Sequence, residues 1–432
     1  MKGIILSTII KNKEKIYVYG LSLFLFLLPF KIRYNNIGLI LLIVGWIFNF
    51  DRNEFLENFK VKNFKIAYIL ILIFYFYFVL RGFNFTNQES IFMAEAVKEY
   101  GRRTALILFP LLFNYKLINQ YYKLLVKIFI NGVFLAILIC VSNAFYINAI
   151  EGIGVGRGLN HFNDWYFSNH LLVKPIEFHP TLFALVCSIV FHLGILQFLN
   201  INNVRVFKSN VKAIIISLLV FVFMLALSSR NVIFFTLVSS SFIVLRYVIK
   251  QKKFKILFAF FILISSMIIL ELSINYVNRK RFFDAINLNT EAYNLSYGGT
   301  SFRYACGKAL YNEIAKEHWL FGIGSGRNID VFNNAYLKYN LTIAAESNYN
   351  AHNQYLETLI YNGILGLLLL LALFIFVFWV CYKQKFYFGA IIVYLLATVS
   401  ITESILENQK GLWLFITLIF VFSIKSENSF EK

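Results

Sequence analysis

Residues 256–273 read ILFAFFILISSMIILELS, preceded by Lys252, Lys253 and Lys255 and followed by Asn275. A helix over that range rises about 27 Å, close to the roughly 30 Å of a bilayer's hydrocarbon core. Its single charge, Glu271, stands near the far end. Lipid offers a backbone no hydrogen bonds, so a helix is the form such a run takes there.

The pattern repeats in both directions. The 432 residues are 59% hydrophobic and only 15% charged, with mean hydropathy +0.67. A soluble domain cannot hide that much apolar surface. The expected fold class is an all-α polytopic membrane protein with about 12 transmembrane helices. The spans fall at roughly 16–30, 36–50, 66–80, 104–114, 126–148, 179–199, 213–228, 231–247, 256–273, 355–381, 386–402 and 411–425. An amphipathic surface helix is expected over 88–103. Four prolines and evenly spread hydrophobicity argue for one integral membrane domain over 1–432. Its large loop at 274–352 is expected to hold short helices, and a second loop lies at 149–177.

A formal charge of +19 would suggest nucleic acid in a soluble chain. Here no nucleic-acid motif accompanies it, and the basic residues cluster in short loops as topology signals. The cluster Arg246, Lys250, Lys252, Lys253 and Lys255 belongs in the cytoplasm, as do Lys60, Lys62, Lys65, Arg205, Lys208 and Lys212. Both termini are then cytoplasmic and the two large loops extracytoplasmic. Lys11, Lys13 and Lys15 precede an apolar run like a signal sequence, but Pro29-Phe30-Lys31 replaces a small-residue cleavage site. An uncleaved first span is expected. Three cysteines lie in apolar spans and Cys306 is alone in the large loop, so no disulfide framework forms.

The polar chemistry gathers in the loops. The large loop offers a helix starting near Ser301 and running to about Lys316. Trp319-Leu320-Phe321-Gly322-Ile323-Gly324 then reads as an interfacial anchor followed by a glycine turn. The glycines allow close backbone approach to a phosphate, although the spacing is not that of a Walker loop. His352 is the sharpest feature. It falls in the first turn of a span starting near Ala351, with Asn350 as the expected N-cap. A helix N-terminus favours neutral imidazole, able to accept a proton, and attracts anions such as a diphosphate.

Arg230 sits in Leu227-Ser228-Ser229-Arg230-Asn231, between two short spans joined by almost no loop. An Arg held there points to a cavity or to an anionic partner. Arg303 opens the loop helix, and two guanidiniums can hold a diphosphate bidentately. The 149–177 loop contributes Arg157, His161, Asp164, His170 and Glu177, and His179 opens the next span. The spacing of these histidines matches no zinc-ligand pattern, so no metal is expected, and His179 reads as a substrate-facing group.

These pieces together resemble the O-antigen ligase and polymerase family of bacterial membrane glycosyltransferases. The Ser-Arg turn at Arg230 comes first, then Arg303, Trp319 and Phe321-Gly322-Ile323-Gly324. Ala351-His352-Asn353-Gln354-Tyr355-Leu356 and Tyr361-Asn362-Gly363-Ile364-Leu365-Gly366 follow. The likeness is strongest over about residues 210–380. Two departures stand out: Asn231 where glycine is more usual, and Leu320-Phe321 where a proline often precedes the glycines.

The resemblance implies an inverting transfer, independent of metal and cofactor. The donor would be a glycan on undecaprenyl diphosphate and the acceptor a sugar hydroxyl of lipid A–core, at the periplasmic side of the inner membrane. It assigns His352 as the essential histidine and Arg230 and Arg303 as diphosphate ligands. Asn353 and Tyr355, beside His352 in the motif, would face substrate, with His179, Arg157 and Arg103 as further contacts. A polymerase would use the same donor chemistry on another acceptor. A polysaccharide or small-solute transporter would place ionisable groups mid-span; here the spans hold few, and the exceptions, His192 and Glu271, read as close to span ends.

Overall fold

The computed structural model describes residues 2–82, 90–154, 164–201, 205–286, 299–324 and 328–424. Every regular element among them is helical. The chain begins with α1 (Lys2–Leu27), α2 (Ile32–Asn49), α3 (Arg52–Lys60), α4 (Lys62–Gly82), α5 (Ser90–Arg103), α6 (Ala105–Leu108) and α7 (Tyr115–Gly154). After it come α8 (Asn169–Val173), α9 (Pro180–Phe198), α10 (Asn210–Ala226), α11 (Arg230–Gln251), α12 (Phe254–Ile274) and α13 (Tyr276–Ile286). The cap helices are α14 (Thr300–Leu310), α15 (Asn328–Lys338) and α16 (Thr342–Glu346). The chain closes with α17 (Gln354–Lys383), α18 (Tyr387–Val399) and α19 (Gln409–Thr417).

Among the described residues seven helices, α2, α4, α7, α9, α11, α12 and α17, are long and apolar enough to cross a membrane. Shorter apolar helices cover Asn210–Ala226, Tyr387–Val399 and Gln409–Ser423. The multi-pass helical architecture is therefore the one the composition dictates. Helix α9 is its hub: every residue from Pro180 to Gln197 is buried. Helix α12, with which the reading began, is peripheral, and only Ile264 on it is buried. Its apolar surface is suited to lipid.

The expected span at 104–114 takes an unusual form. It is α6 followed by a 3₁₀ turn over Phe109–Leu112, with Pro110 interrupting the helix. Broken backbone strands carbonyls that lipid cannot satisfy. Side chains of neighbouring helices bond them instead. The Tyr68 hydroxyl donates to the Ile107 carbonyl at 3.1 Å, and Tyr17 to Leu112 at 3.0 Å. Asn58 Nδ2 donates to Phe113 at 3.0 Å. These contacts lead the segment along α4, from the level of Tyr75, to Asn58 on α3.

His192 is not near a span end. It lies well inside α9, fully buried, with Nδ1 at 2.7 Å from the Ser188 carbonyl and Nε2 at 2.8 Å from Ser239 Oγ. A satisfied histidine between packed helices is a packing group, not a solute site. Glu271 accepts from Asn278 Nδ2 at 2.7 Å, at the end of α12.

Residues 299–351 form a cap with its own core of Phe302, Cys306, Leu310, Phe332 and Tyr336, seated on Phe78, Tyr100 and Tyr361. A splice anchors the cap. Inside α17, Gly363 leaves the helix with φ 62° and ψ −166°, a conformation essentially restricted to glycine. The freed backbone pairs with the loop after α14. Ile323 N donates to the Ile360 carbonyl at 2.7 Å, Gly324 N to Tyr361 at 3.0 Å, and Ile364 N to Trp319 at 2.8 Å. A Cβ on Gly363 would stand 2.2 Å from the Leu320 carbonyl oxygen, and one on Gly322 2.5 Å from the Tyr361 backbone. Arg81 closes the joint, donating to the Phe321 and Gly322 carbonyls at 2.7 and 3.0 Å. The glycine turn therefore inserts into a broken helix, and its close backbone approach is to α17.

Candidate active site

Four helix ends converge at one face: the starts of α9, α11 and α17 and the end of α18. Asn231 Nδ2 donates to the Thr398 carbonyl at 2.8 Å and to Thr402 Oγ1 at 2.7 Å. Gln354 N donates to the Ser400 carbonyl at 2.8 Å. The departure at Asn231 thus has a purpose, pinning the Arg230 turn to α18. Beneath the cap these ends enclose a cavity of about 630 Å³, lined by His179, Arg230, Arg303, His352 and Asn353 among others.

Glu403 binds the set together. It lies in the non-helical stretch between α18 and α19, with its side chain 8% exposed. Its Oε1 accepts from Thr181 Oγ1 at 2.9 Å and from Arg303 Nη1 at 3.0 Å. Its Oε2 faces His352 Nδ1 at 3.3 Å and His179 Nε2 at 3.9 Å. A carboxylate can only accept, so His352 carries its proton on Nδ1 and leaves Nε2 as a free acceptor. Burial pushes the Glu403 carboxyl up, but His179, His352 and Arg303 outweigh it and hold the group well below the usual carboxylate range. Burial pulls the His179 imidazole below its ordinary value, partly offset by Glu403.

His352 occupies the left-handed region at φ 43°, uncommon for a side chain with a Cβ. Asn350 Oδ1 accepts from its backbone N–H at 3.0 Å, and the Tyr349 ring packs against the imidazole with centroids 4.4 Å apart. Burial pushes the Tyr349 hydroxyl up to about 12, so it stays neutral beside the histidine. One edge of the Arg303 guanidinium is taken by Glu403 and the Thr402 carbonyl, the latter at 2.9 Å. Arg303 Nε finds no acceptor in the protein. Arg230 opens α11 after the N-cap residue Ser229, two positions beyond Ser228, which is in the left-handed region at φ 55°. Asn278 holds that turn, accepting from Ser228 Oγ.

Several expectations need correcting. The N-cap of α17 is Asn353, whose side chain accepts from Tyr355 N and Leu356 N at 3.0 Å each. His352 therefore precedes the helix, and Asn350 holds its backbone without capping. Asn353 keeps a place on the cavity wall alongside its capping role. Tyr355 turns away from the cavity, donating to the Ala397 carbonyl at 2.7 Å. Gly299, not Ser301, caps α14.

Arg103 is buried elsewhere, pairing with Glu407 over the Phe78 ring at 3.9 Å. Arg102 also reaches Glu407, at 3.1 Å. Arg157 and His161 lie outside the described residues. The exposed His170 ring stands 5.4 Å from that of His179. Glu403 had a sequence signal that went unread: a carboxylate in Thr402-Glu403-Ser404, at the break between two apolar runs.

Residues 215–371 match the family model described as O-antigen ligase. Over that stretch the chain is similar to the O-antigen ligase family. No curated protein matches the chain. The ligase-family segment contains Arg230, Arg303, His352 and both halves of the glycine splice, and stops short of Glu403. The match supports an enzyme role of the ligase or polymerase type for this multi-pass helical membrane protein.

Proposed function

We propose that the cavity transfers a glycan from undecaprenyl diphosphate to a sugar hydroxyl of lipid A–core, with inversion, at the periplasmic face of the bacterial inner membrane. The observation that carries this reading is the His352–Glu403 contact at 3.3 Å in a cavity shared with two arginines. In the reaction the acceptor oxygen bonds to the anomeric carbon as the bond from that carbon to the diphosphate breaks. The bonding electrons leave with the diphosphate, and Arg230 and Arg303 stabilise the charge it gains. The acceptor's proton passes to His352 Nε2. Glu403 holds the imidazole in the productive tautomer and stabilises the imidazolium, as a carboxylate does behind a histidine base. The two guanidiniums supply the cationic stabilisation that a metal ion gives in other transferases, so the reaction proceeds without one.

The experiment is glycan transfer by purified protein in detergent, with EDTA. Undecaprenyl-diphosphate glycan is the donor and lipid A–core the acceptor. Product on lipid A–core supports the ligase reading. Longer carrier-linked chains would make the protein a polymerase with the same donor chemistry. Folded protein that transfers glycan to neither would overturn the proposal.

A further inference from the structure

Beyond Arg303, one helix face in the cavity takes no part in the chemistry above. Helix α14 turns Arg303, Tyr304, Gly307, Lys308 and Tyr311 toward the cavity, the i, i+3, i+4 spacing of a single face. Tyr304 is 57% exposed and Tyr311 50%, unusual for aromatic side chains on a wall of a partly enclosed cavity. Gly307 lies between them. A Cβ there would meet only Leu356 Cδ2, at 3.8 Å, an ordinary contact. Neither packing nor backbone conformation requires glycine, which weakens a helix interior relative to alanine. At Tyr311 the helix widens into a π-turn, Tyr311–Ala315, a distortion frequent at functional sites.

We propose that this face is a subsite for the donor's own sugars, with Tyr304 and Tyr311 as platforms for two rings and Gly307 as the trough between them. A sugar ring has an apolar C–H face that packs on an aromatic ring, while its hydroxyls take hydrogen bonds from groups such as the Lys308 ammonium. The tyrosines are about 10 Å apart along the axis, the reach of a disaccharide. Arg303 sits at the inner end of the same face, so a glycan leaving a diphosphate held there runs onto Tyr304. The inference rests on the donor assignment above.

The test compares the producing organism's undecaprenyl-diphosphate glycan with the same glycolipid trimmed to its reducing-end sugar. Gly307→Leu and Tyr311→Ala should raise KM for the full glycolipid about five- to tenfold. The trimmed donor and the acceptor should shift less than about twofold, and melting temperatures should hold. Equal shifts for both donors, or a shift in acceptor KM instead, would overturn the subsite. A second readout is independent of transfer: calorimetric binding of the lipid-free oligosaccharide to the whole protein. Binding weakened by both variants supports the subsite even in a preparation without transferase activity. Binding unaffected by them, or absent from the wild-type protein, overturns it.

Discussion

Replacing Glu403 with glutamine changes one atom and reverses the logic of His352. The amide would offer an N–H to Nδ1, favouring the tautomer with its proton on Nε2, where it is useless as a base. Transfer by Glu403→Gln should fall roughly 10³- to 10⁴-fold in kcat, by the precedent of carboxylate-to-amide changes behind a catalytic histidine. The same variant has a stability signature. The Glu403 carboxyl is held below its ordinary range, so its contribution is complete above an unfolded value near 4.3. That contribution is lost as pH falls from there through the lower folded value. The melting-temperature gap between wild type and Glu403→Gln should be full at neutral pH and should narrow below about pH 4. A gap that widens in acid would contradict the ion cluster. His352→Ala should lose about 10²- to 10⁴-fold in rate and still melt as a folded protein; wild-type transfer by this variant would refute the base assignment.

At the scale of elements, the splice of 319–324 into α17 and the broken crossing after α6 both carry backbone away from regular helix. Gly363→Ala places a Cβ 2.2 Å from the Leu320 carbonyl oxygen at a φ of +62°. The cap should loosen, with a cost of about 1–3 kcal/mol from the backbone alone. Fluorescence of Trp319, within the splice, should report a lowered melting point, whereas Gly307→Ala, whose added Cβ makes only an ordinary contact with Leu356 Cδ2, should not lower it. Tyr68→Phe would take away the Ile107 carbonyl's side-chain donor and should cost about 1–3 kcal/mol. A Tyr68→Phe protein as stable as wild type would mean that this carbonyl finds another donor.

At the scale of the whole molecule, the prediction is topological. The four native cysteines are buried, which leaves the chain suited to single-cysteine mapping. Lys316→Cys, exposed in the cap, should react with a membrane-impermeant maleimide in intact spheroplasts. Lys252→Cys, exposed in the basic turn between α11 and α12, should react only after permeabilisation. The reverse pattern would put the cavity on the cytoplasmic side and remove the proposed periplasmic donor from reach.

Much of this was readable in the residues. Apolar runs such as 256–273 must be helices in lipid whatever surrounds them, because the backbone has no other partner there. His352, Arg230, Arg303 and His179 stood out because ionisable groups beside membrane spans are costly and few. What those groups touch was not readable, since contacts between distant segments depend on packing and leave no local period. Glu403 follows His352 by a full helical hairpin, and only the return of α18 brings the carboxylate to the imidazole. Arg103 looked equivalent to the other arginines until Glu407, more than three hundred residues later in the chain, claimed it. The two glycine motifs, each a weak signal alone, are two sides of one joint. The sequence by itself determined a multi-pass helical membrane protein with its reactive side chains gathered at one face, because hydrophobicity and the backbone's need for hydrogen bonds act locally. The tertiary structure alone decided which carboxylate orients the histidine and which arginines reach the cavity, because that depends on where helix ends meet.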